Sequence, residues 1–220
     1  SVRSYVFNDF NTSQYAQVAG GTNERFDEIW WFYCSANSTQ NDRYVVYNYL
    51  QDIWYYGTLS RSAWTDSDLR ENPMAATYSN NLVNHEVGYD NQESATASAI
   101  TATLLSSEFD LDDGDKFMFV NRVLPDVTFE GSTVTNPAAV MTLSPMQNSG
   151  SGYNNPLSVG GNSASTVTRT ATVPIEEFTG QVFVRLRGRQ MAFKMESTEL
   201  GVAWKLGIPR LEMRADGRRG

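Results

Sequence analysis

DEIWWFYCSANSTQNDRYVVYNYLQDIWYYGTLSRSAW, residues 27–64, is the stretch that decides the fold. It holds three runs rich in Tyr, Trp, Val and Ile, at 28–34, 43–49 and 52–59, separated by short polar connections. These residue types fit a pleated, half-buried surface, so each run is predicted to be a strand. Leu50-Gln51-Asp52 is a tight reversal between two of them.

Working outward, this rhythm is that of one blade of a β-propeller. Tyr47-Asn48-Tyr49 followed by Trp54 is similar to a kelch-type blade hairpin, in which a Trp after the turn packs between neighbouring blades. One blade cannot bury both of its faces, so further blades or a partner are expected. Residues 73–79 and 81–87 supply more strand candidates, joined at Ser79-Asn80-Asn81, where Asn tolerates the positive φ of a tight turn. The opening SVRSYVFNDF reads as strand-like, and 12–18 as a turn or two of helix. With no initiator Met, the chain reads as a fragment or processed product with a leading domain expected upstream. Residues 1–92 therefore form a first region of propeller-like blades, closed by the polar stretch GYDNQESA at 88–95.

Residues 93–220 form a second region, read as a β-sandwich-like domain with basic C-terminal strands. KFMFVNRVL at 116–124 is apolar on both faces, which suits a central strand, and Pro125 ends it. Val127–Phe129 and 138–143 are shorter strands. Residues 147–166 are rich in Asn, Ser and Gly without periodicity and read as a long surface loop. In 182–187, Val182, Val184 and Leu186 share one face while Arg185 and Arg187 take the other. After Gly188, Met191, Phe193 and Met195 alternate with Lys194 and Glu196. Val202, Trp204, Leu206 and Ile208 share a face, but beyond Pro209 the parity flips to Leu211 and Met213. A one-residue slip would turn every later side chain to the wrong face, so a bulge or bend is expected at 207–209. Short strands at this spacing make the chain all-β.

Composition sets the bounds. The 220 residues are 40% hydrophobic and 12% aromatic, enough for a packed core and against disorder. No apolar run approaches a membrane span. Cys34 is the sole cysteine, which excludes an internal disulfide and reads as a buried structural thiol made in a reducing cytosol. The formal net charge of −8 is uneven: residues 180–220 carry nine Lys/Arg against four Asp/Glu, and residues 1–179 carry eight against twenty-one. The acidic part repels phosphate backbones. The basic end either meets an acidic neighbour or pairs with the acidic body of its own chain.

The catalytic inventory is poor. His85 is the only histidine, so a His-based metal cluster is excluded, and it lies on a strand without a nucleophile elbow. No catalytic residue is assigned, and a Cys34–His85 pair would need the two strands to meet. Asp110, Asp112, Asp113 and Asp115, with Gly114, form the densest carboxylate cluster. Calcium needs six or more oxygens, and the Gly is misplaced for an EF-hand, so an Asp-Gly turn is the simpler reading and no cofactor is expected. Trp30, Trp31, Tyr55 and Tyr56 either stack on sugars or fill the space between blades; core is the favoured reading.

An ordered set of segments resembles a known family: YVFND at 5–9, EIWWFY at 28–33, DRYVVYNYLQDIWYYGTLSRSAW at 42–64, FVNRVLPD at 119–126 and QVFVRLRGRQMAFKMES…LGVAWKLGIPRLEMRADGRR at 181–219. The resemblance is to the C-terminal portion of the tail hub or nozzle (tail tubular) protein of short-tailed bacteriophages. It implies a structural virion tail protein, made in the host cytoplasm and assembled as a cyclic homo-oligomer, a hexamer. It further implies adaptor, fibre or spike partners and DNA that passes during ejection without specific binding. No catalytic residues come with it. Arg185, Arg187, Arg189, Arg210 and Arg214 are the expected interface, since guanidinium forks pair bidentately with carboxylates. The alternative is a carbohydrate-binding propeller module, with or without glycoside hydrolase activity, using the same aromatics at its surface.

Overall fold

The computed structural model describes residues 2–67, 69–112, 114–146 and 170–218. The expected loop at 147–166 lies outside the described residues, as does Asp113 of the acidic cluster. The chain is all-β in character, built of several antiparallel sheets. It divides into two compact units, Ser1–Gly88 and Tyr89–Gly220. No helix among the described residues is long and apolar enough to cross a membrane.

The first unit opens with α1 (Val2–Asn8) and a 3-10 turn (Thr12–Gln17), so the opening decapeptide is helical rather than strand-like. Val2, Tyr5 and Val6 fall on one side of that helix, and Tyr5 stacks on Tyr56 at 3.8 Å between ring centroids. Asp9 fixes the end of the segment by pairing with Arg43 at 3.2 Å. A strand would scatter these contacts over both faces, and the tertiary contact overrides local β propensity.

The aromatic stretch then forms an antiparallel meander of β1 (Ala19–Asn23), β2 (Glu28–Tyr33), β3 (Arg43–Asn48) and β4 (Ile53–Thr58), in that spatial order. The predicted strands are each observed within a residue or so of their ends. A second meander follows: β5 (Ala63–Thr65), β6 (Met74–Ala76) and β7 (Leu82–Asn84). Its last turn uses Asn80 at φ 64°. The buried side chains Trp30, Phe32 and Val46 on one face of the first sheet pack with Tyr44, Tyr55, Leu59 and Trp64. Trp64 of β5 stacks on Trp30 at 5.2 Å, and its indole Nε1 donates to the Thr22 carbonyl at 2.7 Å. Trp54, expected to pack inside, is 48% exposed and lies against Tyr47 and Trp31 on the opposite face. The period of two explains this: Trp54 and Tyr55 point to opposite faces, and Tyr55 takes the core side.

Trp64 sits this close only because β1 offers a glycine there. A Cβ on Gly21 would overlap the Trp64 indole ring. Gly21→Ala is expected to destabilise the first unit by about 1–3 kcal/mol, the usual range for overpacking a filled core. Urea unfolding of the variant checks this, and a loss within experimental error would contradict the packing.

The second unit begins at what the sequence marked as a polar connector. Within it β8 (Asp90–Asn91) pairs with β9 (Ser98–Ala99), and the Asp90 carboxylate accepts from the Gly201 amide at 2.8 Å. The stretch is therefore structural rather than a free linker. After β10 (Ala102–Leu105) and β11 (Phe109–Asp110) come the long β12 (Lys116–Leu124), β13 (Val127–Thr128) and β14 (Ala138–Met146). Then follow β15 (Ala171–Glu176), β16 (Val182–Gly188), β17 (Gln190–Ser197), β18 (Lys205–Leu206) and β19 (Arg210–Arg218). One sheet has the order β10-β17-β14-β15, with β11 also on β17; another has the order β16-β12-β19; β13 and β18 pair apart. Both main sheets feed one core, Met118, Val120, Val184 and Leu186 from one and Met141, Leu143, Phe193 and Met195 from the other.

β12 is the central strand of its sheet, as its two apolar faces imply. Gly188 carries the chain from one sheet into the other, and a Cβ there would crowd Pro145 and the Gln190 carbonyl, at 2.9 Å each. The bend at 207–209 is present: Asp126, at φ 50°, accepts from Gly207 N at 2.8 Å and Ile208 N at 2.7 Å. Val202, Trp204 and Leu206 reach the core, but Ile208 is exposed because the bend begins before it.

Candidate interaction surface

The arginines of the basic end stand on the outer face of the β16-β12-β19 sheet, but they do not form one equivalent set. Register places Arg187 of β16 and Arg214 of β19 on either side of Phe119 in β12. Arg187 lies over the Phe117 ring at 4.0 Å and pairs with Asp216 at 2.5 Å. Arg189 approaches the same ring at 5.6 Å, and Arg214 lies over Phe119 at 5.0 Å. The cations thus roof two aromatic rings on the outer side of β12. A desolvated cation–π contact contributes up to about 2 kcal/mol, and an exposed one about 0.5–1. This answers a question raised by the sequence: β12 is apolar on both faces because its outer face is covered by guanidinium groups.

The internal carboxylates are few. Glu212 accepts from Asn121 at 3.0 Å and pairs with Arg122 at 2.7 Å, and the hydrogen bond, then the guanidinium charge, hold its carboxyl below the ordinary range. Asp216 is taken by Arg187. Among the described residues Arg185, Arg210 and Arg214 have no ion-pair partner, and all three are exposed. Beside them stand bare apolar side chains: Phe183 next to Arg185 in β16, and Phe178 and Ile208, which border a shallow groove with Arg210. Sequence alternation marked the arginines but not the phenylalanines. Phe183 is legible in the same alternation, because it shares parity with Arg185; Phe117 and Phe119 are not, because β12 carries apolar residues on both faces.

The other residues of chemical interest are placed differently. Cys34 is buried, its thiol donates to Asn41 Oδ1 at 3.4 Å, and burial pushes the thiol up. His85 accepts from Arg61 Nε at 2.9 Å and packs against Trp64. The two residues are engaged with different partners. In the acidic cluster Asp112 pairs with Lys116 at 2.5 Å, Asp110 accepts from Gln190, and Gly114 takes the positive φ of a turn. No group of three or more His, Cys, Asp or Glu with metal-holding geometry occurs among the described residues.

One polar cluster was missed in the sequence. Glu28 is buried at the start of β2, accepting from Trp30 Nε1 at 2.8 Å and from the Tyr55 hydroxyl. The fully buried Asn23 bridges it to Glu86 through one amide nitrogen, at 3.3 and 3.2 Å. That amide fills the space between the two carboxylates, where a glycosidase would need a sugar or a water. Burial pushes the Glu86 carboxyl up, and the Glu28 charge adds to it, against the Asn23 hydrogen bond and Arg25. Glu86 as a residue is exposed, so the effect is small in energy; its direction follows from a carboxyl end that faces Asn23 and Glu28. Because its folded pKa lies above the unfolded one, Glu86 favours the fold at low pH, and that contribution is lost as pH rises through the raised value. Glu86→Gln is expected to raise the melting temperature at about pH 7 and to leave it unchanged near pH 4, in the ordinary carboxylate range. Thermal melts across that interval decide it; an equal shift at both ends would contradict the assignment.

No protein-family model matches the chain, and no curated protein matches it.

Proposed function

We propose that this chain is the C-terminal portion of a tail hub or nozzle protein of a short-tailed bacteriophage. Its work in this reading is structural: a subunit of a closed homo-oligomeric ring, a hexamer, that forms part of the DNA ejection conduit and carries fibres or spikes. The observation that carries the reading is the pair of consecutive antiparallel meanders, β1–β4 and β5–β7, packed through Trp30 on Trp64. Successive blades of a propeller meet in this way, and the second unit's two sheets with one core suit a β-sandwich. The resemblance of the ordered segments adds the family. The predominance of acidic residues before the last strands fits a wall along which DNA moves without adhering, since each cation on phosphate adds affinity.

In this reading the protein has no active site. His85→Ala and Cys34→Ala are expected to leave phage infectivity intact wherever the fold survives; loss of infectivity with normal stability and assembly in His85→Ala would overturn it. The ring itself is tested by imaging particles of the full-length protein. A monomeric full-length protein at the concentrations of tail assembly would sink the proposal.

A second reading is favoured by one observation. Trp31, Tyr47 and Trp54 lie side by side on the face of the first sheet away from its core, with Trp54 about half exposed. Surface aromatics of this kind bind sugars, so a glycan array distinguishes a carbohydrate-binding module from a tail subunit. Trp30, buried against Trp64, supports the tail reading.

A further inference from the structure

Among the described residues the second unit has an open seam. Among the described residues β15 pairs only with β14, and β16 only with β12, so each is the edge of its sheet. The two edges face one groove of about 820 Å³, with residues 170–173 on one side, 183–186 on the other, and Phe119 and Asn121 completing it. An edge strand carries alternate backbone N–H and C=O groups with no ladder partner, ready to pair with another chain. At strand spacings of about 3.3, 4.8 and 10 Å, one residue of a sheet occupies roughly 160 Å³. The groove therefore takes about five residues of extended chain, close to the length of edge that borders it.

The side chains select the occupant. Val184 and Leu186 of β16 point into the core, while Phe183 and Arg185 point outward. An added strand would alternate likewise, with apolar residues toward Val184 and Leu186 and the others beside Arg185. Arg185 has no ion-pair partner among the described residues, and Arg187 follows it on the same face. Another copy of β16 laid antiparallel on this edge would bring arginines opposite arginines, and like charges directly opposite are destabilising. A carboxylate at the outward positions meets a guanidinium fork instead.

We propose that the groove between β15 and β16 is a strand-addition site for an extended segment in which apolar residues alternate with acidic ones. Backbone hydrogen bonds to an edge strand supply the affinity, and the alternation supplies the selectivity. The site shares Arg185 with the arginine face but does not depend on ring formation. A ring assay reads contacts between copies and a peptide titration reads a single copy, so the two proposals fail separately.

The test titrates the ¹⁵N-labelled full chain with acetyl-Val-Asp-Val-Asp-Val-Asp-amide, following amide shifts and hydrogen exchange in β15 and β16. Binding is expected, with slowed exchange at residues 183–186. Methylating alternate peptide nitrogens removes the donors and keeps the side chains; a loss of at least ~tenfold is expected if backbone pairing supplies the affinity. Replacing Asp by Lys in the peptide is expected to abolish binding, and Arg185→Glu in the protein to reverse that preference. A short oligothymidylate is the competing class, because arginine and exposed phenylalanine also suit phosphate and base stacking. The proposal is overturned by no binding of the peptide, by equal binding of its N-methylated form, by indifference to Arg185→Glu, or by an oligothymidylate that binds this groove while the peptide does not.

Discussion

Trp30→Ala should cost the first unit about 3–5 kcal/mol, the range for truncating a buried aromatic residue. Trp30 is the centre of the aromatic packing. Its ring lies against Tyr44 at 4.9 Å, Trp64 at 5.2 Å and Phe32 at 5.9 Å, with Tyr55 edge-on at 6.4 Å. Truncation empties that space and also removes the indole N–H from the buried Glu28 carboxylate, which leaves a charge short of a donor. Both losses act on the contact that joins the two meanders. Domains of this size are stable by only about 5–15 kcal/mol, so the variant should be near the edge of folding. Trp54→Ala is the control, because that ring is half exposed and its loss should cost within about 1 kcal/mol. Urea unfolding followed by near-ultraviolet circular dichroism separates the two. Equal costs would contradict a core confined to the Trp30 face, and a larger cost for Trp54→Ala would put it on the other face.

The contrast between these tryptophans shows what the sequence could carry. Strand positions were legible because period-two runs of Tyr, Trp, Val and Ile are bounded by polar turns, and β2, β3 and β4 were each placed within a residue or so of their ends. Which face is buried was not legible in 53–56, where both parities are aromatic or aliphatic and only packing against Trp64 decides. In β16 one parity is wholly apolar, Val182, Val184 and Leu186, while the other carries Arg185 and Arg187 beside Phe183, so the buried face is legible. Helix α1 is not legible locally, because Tyr5 and Val6 have strand-like propensity and Tyr56, on which Tyr5 stacks, is distant in sequence. The arginine face was half legible. Alternation gives the side on which Arg185 and Arg187 stand, but nothing local says that Arg187 is occupied by Asp216 and Phe117 while Arg185 has no ion-pair partner among the described residues. The Glu28–Asn23–Glu86 cluster lies beyond local reading, since it joins residues sixty-three positions apart.

That occupancy determines how the proposed ring should be tested. Reversing Arg187 and Arg189 breaks an ion pair and uncovers Phe117, so a lost ring could reflect a damaged sheet. Arg185 and Arg210 are the cleaner pair, exposed and without an ion-pair partner among the described residues. Arg185→Glu with Arg210→Glu is expected to leave monomer stability within about 0.5 kcal/mol, as for surface changes away from special features. The same double change is expected to abolish ring formation at ordinary salt. Two cations that would meet carboxylates of the adjacent copy become two like charges, and breaking a charged pair at a buried contact costs about 2–5 kcal/mol. Repeated at every contact of a closed ring, that loss removes the assembly rather than weakening it. Mass photometry reads the ring and circular dichroism confirms the fold. Rings of normal size in the double variant, with the fold intact, would make the basic strands a solvated face. Assembly would then have to use the exposed apolar side chains nearby, Phe178, Phe183 and Ile208, whose replacement by Ser is the next discriminating change.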